Sequence, residues 1–141
     1  MKKLQQGRSM IEMLGVLAII GVLSIGGLAG YTMAMNRHRA NQVLDYSQRA
    51  FVSVQTIGDG SQAVAEVNCS DASILNEAMP TTLTSCKVTR AANGASTVTV
   101  TFGNANAAAD AFAQRVGVDT GNTTFTMSDQ GDNAHNWVAG A

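Results

Sequence analysis

The side chains best suited to redox, metal or acid–base chemistry in this 141-residue chain are two cysteines, two histidines and ten acids. Cys69 and Cys86 are too far apart for a C-x-x-C redox pair. With only His38 and His135 as imidazole partners they do not make a zinc-site pattern either. Both cysteines lie beyond a long apolar segment. An even cysteine count in an exported domain reads as one disulfide, Cys69–Cys86, with two buried free thiols as the alternative. Closing a loop of about 18 residues is worth ~3 kcal/mol in the chain-entropy estimate.

Catalysis finds little support. No G-x-S-x-G, H-E-x-x-H or P-loop pattern is present. A Cys–His mechanism needs a free thiol beside an imidazole, yet His38 stands between Arg37 and Arg39 at the edge of the apolar segment. Asp129-Gln-Gly-Asp132-Asn133 offers oxygen atoms to calcium, but its spacing is weak and a solvated loop is favoured. No enzyme activity, no cofactor and no metal is expected. The formal charge of −1 gives no reason to expect a nucleic-acid partner. Arg37-His38-Arg39 reads as a lipid-headgroup or inter-subunit contact rather than a DNA site.

Glu12 carries the most information. It stands just before Met13, and from Met13 to Met35 no residue is charged. At 1.5 Å per residue this run makes a helix of about 34 Å, enough to cross a bilayer core of ~30 Å. A secretory signal peptide cut near Thr32-Met33-Ala34 is one reading, and a plain membrane anchor is another. Neither explains a carboxylate at the mouth of an apolar span, where ionisable groups are costly and usually serve a function. Lys2, Lys3 and Arg8 precede the span, and Arg37 and Arg39 follow it, so flanking charge leaves orientation nearly balanced. The cysteine pair places the body in an oxidising space and the amino end in the cytoplasm.

A short basic leader ends in Gly7, four residues lead to Glu12, and an apolar helix with Leu17-Ala18-Ile19-Ile20-Gly21 follows. This arrangement resembles the class III signal of type IV pilins and type II secretion pseudopilins, over roughly residues 1–55. The resemblance implies that a prepilin peptidase cuts the Gly7–Arg8 bond and methylates the new amino terminus. Glu12 is then the fifth mature residue and the one that guides assembly. Without Lys2 and Lys3, seven basic residues stand against ten acids, a charge of −3, and Lys87 is the only lysine left. The family usually has an apolar residue where this chain has Arg8. Many members have proline at the twenty-second mature position, here Ala29. Gly21, Gly26 and Gly27 would permit the local helix melting of the family's filaments, since each glycine weakens a helix by ~1 kcal/mol relative to alanine. Gly26-x-x-x-Gly30 would equally permit close helix packing.

Beyond Asn36 the periodicity predicts that the helix continues, with Val43, Ala50, Val54 and Ile57 on one face and Gly58-Asp59-Gly60 ending it. A short helix is expected over 72–79, stopped by Pro80. Strands are expected at 86–90 and 97–102 around an Asn93-Gly94 turn, a helix at 105–116, and a third strand at 123–127. Trp137 is expected to cover the sheet. These elements make an α+β fold, a long N-terminal helix packed on a small antiparallel sheet, and pilins are built this way too. The expected organisation is a leader at 1–7, a transmembrane or filament-core helix at 8–35, and a periplasmic or extracellular body at 36–141.

The leading expectation is a structural subunit of a type IV pilus-like filament. It would sit in the bacterial inner membrane before assembly and at the cell surface afterwards. Its implied partners are like subunits, the prepilin peptidase, an inner-membrane assembly platform and membrane lipid. The alternatives are a secretion pseudopilin and, in a different class, a membrane-anchored periplasmic binding module that keeps its amino terminus.

Overall fold

The computed structural model describes residues 2–58, 62–103, 107–129 and 136–140, with side chains from Ser9 onward. One helix, α1 (Lys2–Gln55), is followed by β1 (Val64–Asn68), β2 (Leu83–Arg90), β3 (Ser96–Phe102), α2 (Ala107–Val116), β4 (Thr124–Ser128) and β5 (Trp137–Ala139). The chain divides into two compact units, Met1–Met35 and Asn36–Ala141.

In the first unit every described side chain from Ser9 to Ala34 is exposed. The second unit is an α+β domain. Its stretch of α1 buries Ala40, Val43, Tyr46, Ala50 and Val54, each at most 2% exposed. The spacing of three or four residues places them on one side of the helix. Asp45, Gln48 and Arg49 are exposed on the other.

The sheet is an antiparallel meander in the order β1-β2-β3-β4-β5. Strand alternation sorts its two faces. Val88, Val98, Val100, Phe102, Phe125, Met127 and Trp137 are buried in the core. Thr97, Thr99, Thr101, Thr124 and Thr126 are half-buried and occupy the alternate positions. Thr99 faces Thr126 and Thr101 faces Thr124 in the β3–β4 register. The β2–β3 hairpin turns at Asn93-Gly94, where Gly94 has φ +89°. The Asn93 Oδ1 accepts from the Ala95 amide at 3.0 Å. Asparagine and glycine suit this turn because the one bonds locally and the other tolerates positive φ.

Between β3 and β4 the chain forms α2, which buries Ala108, Ala109, Phe112 and Ala113. Phe112 touches Phe102, Phe125 and Trp137, with ring centroids 5.5, 5.0 and 5.1 Å apart. Small alanines let α2 approach closely while one phenylalanine fills the space beneath it. Pairs of this geometry add ~0.5–1.5 kcal/mol beyond the area they bury.

The helix expected over 72–79 does not form; a turn covers 72–75 and a bend stands at Glu77, with irregular backbone around it. Asp71 closes the turn. Its Oδ1 accepts from the Ser73 amide at 2.9 Å and from the Ser73 hydroxyl at 2.8 Å. Its carbonyl accepts from both Ile74 and Asn76 at 3.0 Å, and Asn76 has φ +50°. Side-chain bonds of this kind compete with helical ones. The carbonyls of Ile74 and Glu77 are then claimed by α1: Ser53 Oγ donates to the first at 2.6 Å and Tyr46 Oη to the second at 3.0 Å.

Candidate functional site

Glu12 lies in α1 and is exposed. Its neighbours Met10, Ile11, Met13 and Leu14 are 64–72% exposed. The stretch is long and apolar enough to cross a membrane, and none of its most apolar window is buried in the chain. Its length and composition fit a membrane anchor or a signal sequence. An exposed carboxylate among apolar groups, with no partner among the described residues, is costly in hydrocarbon unless it is paired.

Gly7 and Arg8 belong to the helical backbone of α1, and the Arg8 side chain lies outside the described residues. The glycines open the helix surface further along. A Cβ added at Gly15, Gly21, Gly26, Gly27 or Gly30 would meet nothing within 4 Å. Another helix therefore has free approach on those sides. Arg37, His38 and Arg39 end the uncharged run and are all exposed.

Cys69 and Cys86 are joined by a disulfide with a Cα–Cα distance of 5.4 Å, within the usual range. Cys69 follows β1, Cys86 lies in β2, and the Cys69 amide donates to the Cys86 carbonyl at 2.9 Å. Both residues are at most 2% exposed. The bridge ties the 70–85 loop to the sheet, and its burial makes it structural rather than exchangeable.

Among the described residues no cluster of His, Cys, Asp or Glu could hold a metal. Of the calcium candidates, Asp132 and Asn133 lie outside the described residues, as does His135. Asp129 is described and its carboxylate is engaged. Oδ1 accepts from the Ser96 amide at 2.7 Å and Oδ2 from Gln55 Nε2 at 3.3 Å.

Arg90 is the residue that sequence reasoning missed. It is 2% exposed and donates to the carbonyls of Val54, Gln55 and Ile57 at 2.8, 3.1 and 2.7 Å. The Val54 and Gln55 carbonyls belong to the last turn of α1, where carbonyls have no partner within the helix, and Ile57 follows it. A guanidinium there also complements the negative end of the helix dipole. The signal was available, since Cys86, Val88 and Arg90 share one face of β2 by strand alternation. Arg49 makes a second fastening, with Nε 3.1 Å from Asp45 Oδ2 and Nη1 2.6 Å from Glu77 Oε2. Its partners are more than half exposed, so each pair is worth only ~0–1 kcal/mol.

The arrangement thus joins a bare apolar helix bearing one carboxylate to a disulfide-closed α+β body. No protein-family model, curated protein or solved structure was found to match this chain.

Proposed function

We propose that this protein is a structural subunit of a type IV pilus-like filament, cut between Gly7 and Arg8 and polymerised through α1. One observation carries the reading. The described side chains of the apolar half of α1 are exposed, and it presents Glu12 and a series of open glycines rather than a uniform lipid-facing surface. A plain anchor needs neither. A bundle of such helices would use both, the glycines for close approach and the carboxylate for register. The second unit supplies a compact body stabilised for an oxidising space by its disulfide. The resemblance of residues 1–55 to the pilin and pseudopilin signal supports the same conclusion, including a pilin-like fold for the whole.

The test is the mass of the membrane-extracted protein together with images of sheared surface filaments. A chain starting at Arg8 and present in filaments is expected. An uncut Met1, or a start after Ala34, would overturn the reading. Loss of secretion without loss of surface filaments on deletion would make the subunit a pseudopilin instead.

A further inference from the structure

We infer that Arg37 and Arg39, with His38 between them, form a collar that binds the phosphate of anionic phospholipid headgroups. The inference rests on the membrane-spanning part of the function proposed above and is independent of polymerisation. Three observations converge on it.

The first is position. α1 continues unbroken through these residues to Gln55, and the uncharged run ending at Met35 spans about 34 Å, slightly more than a ~30 Å hydrocarbon core. Residues 37–39 therefore fall at headgroup depth when the run crosses a bilayer.

The second is the state of the charges. Of the other cations in the same unit, Arg49, Lys87 and Arg90 have partners, carboxylates for the first two and backbone carbonyls for the third, while Arg115 on α2 is exposed. Arg37, His38 and Arg39 are exposed and make no ion pair or side-chain hydrogen bond among the described residues. No acid lies between Glu12 and Asp45 in the sequence, so the collar has no neighbour along the chain to neutralise it.

The third is geometry. Successive residues turn by about 100° on a helix, so 37, 38 and 39 cover an arc of about 200° rather than a single face. One subunit surface would engage only part of that arc, whereas a lipid layer surrounds it. Guanidinium groups fork onto phosphate oxygens, and the choice of arginine at both positions favours phosphate over a simple point charge. Phosphatidylglycerol offers that phosphate with its charge uncompensated, and phosphatidylcholine does not.

The full chain in non-ionic detergent micelles, titrated with phosphatidylglycerol or phosphatidylcholine and followed by native mass spectrometry, tests the collar. Each basic residue near an anionic lipid surface contributes about fivefold in affinity, and Arg37 and Arg39 stand about 200° apart and meet different lipids, so a preference of about fivefold for phosphatidylglycerol is expected for each bound lipid. The R37Q/R39Q variant should lose it, R37K/R39K should keep only part of it because an ammonium cannot fork onto the phosphate oxygens, and R49Q should leave it unchanged. Equal binding of the two lipids, or a preference surviving in R37Q/R39Q, would overturn the inference. Dimer formation that replaces the lipid adducts and depends on Arg37 and Arg39 would assign the collar to a second copy instead. Filament formation is read separately, so a failed collar leaves the proposed function standing.

Discussion

Arg90 and Val54 meet where β2 passes the end of α1: the guanidinium Nη1 donates to the Val54 carbonyl at 2.8 Å, from a side chain 2% exposed. The same group also serves Gln55 and Ile57. A single strand residue thus satisfies the last turn of the helix and fixes its end on the sheet. The body of the protein is organised around this joint, because the helix end cannot shift without leaving buried carbonyls unpaired.

Arg90→Met should therefore destabilise the body by ~1–3 kcal/mol for each carbonyl left buried without a partner. Thermal unfolding of the full chain in detergent, read from the near-ultraviolet signal of Trp137, measures it. Arg90→Lys should recover only part, since an ammonium cannot serve three carbonyls in the same fork geometry. A loss below ~1 kcal/mol in Arg90→Met would mean that water replaces the guanidinium at little cost.

The disulfide closes a loop with a sequence separation of 17 residues. Replacing Cys69 and Cys86 together by serine should cost ~3 kcal/mol. For a domain of this size that is a fall of about 10–20 °C in Tm. Non-reducing peptide mapping of the natural protein should give one linked peptide containing both cysteines.

Phe112 is fully buried beneath α2 and touches three other rings. Phe112→Ala should cost ~3–5 kcal/mol and Phe112→Leu distinctly less. Because its ring lies edge-on to Trp137 at 5.1 Å, the near-ultraviolet spectrum should change even in the leucine variant.

Asp71 is held below the usual carboxylate range, first by the Ser73 amide and then by the Ser73 hydroxyl. A depressed folded pKa means stability that is present above about pH 4 and lost as pH falls through the folded value. The difference in Tm between the natural protein and Asp71→Asn should therefore shrink from pH 6 to pH 3. The effect should be small, because the carboxylate is solvated. A gap independent of pH would show that the turn relies on geometry alone.

The sequence was most readable where burial is periodic. Val43, Ala50 and Val54 marked the inner face of α1, and the alternation of Val98, Val100 and Phe102 marked β3. Both patterns follow directly from the geometry of helix and strand. Asn93-Gly94 marked the hairpin because few dipeptides suit that turn. β1 was not legible: it is five residues long, and its pairing shifts between Val64 and Val67, so its alternation breaks after two positions. β5 has three residues and draws its order from pairing with β4. The turns at 71–76 looked helical because Ala72 to Met79 contains good helix formers. There a local side-chain bond from Asp71 and tertiary bonds from Ser53 and Tyr46 override propensity. In the candidate site, Glu12 was legible through its contrast with the apolar run that follows it. For Arg90 the alternation with Cys86 and Val88 pointed inward, but a charged residue at a strand end is ordinarily placed in solvent.

Glu12 provides the sharpest test of the proposed assembly. An unpaired carboxylate in hydrocarbon costs at least ~2.5 kcal/mol on insertion scales. Cleavage after Gly7 would create a positive amine at Arg8, four residues before Glu12 and one helical turn away. The amine of one subunit paired with Glu12 of its neighbour would remove that cost and set the axial register of the two helices. Loss of one partner from a desolvated pair leaves the other uncompensated, a penalty of ~3–5 kcal/mol where burial is deep. Glu12→Leu should accordingly be inserted and cleaved as usual, since the apolar run is only lengthened, yet fail to enter filaments. Glu12→Asp keeps the charge on a shorter side chain and should assemble poorly rather than not at all. The measurement is the yield of sheared filaments from cells expressing each variant alone, alongside the intact mass of the membrane pool. Normal filament yield from Glu12→Leu would end the register mechanism. A precursor that accumulates uncut would instead assign Glu12 to recognition by the peptidase.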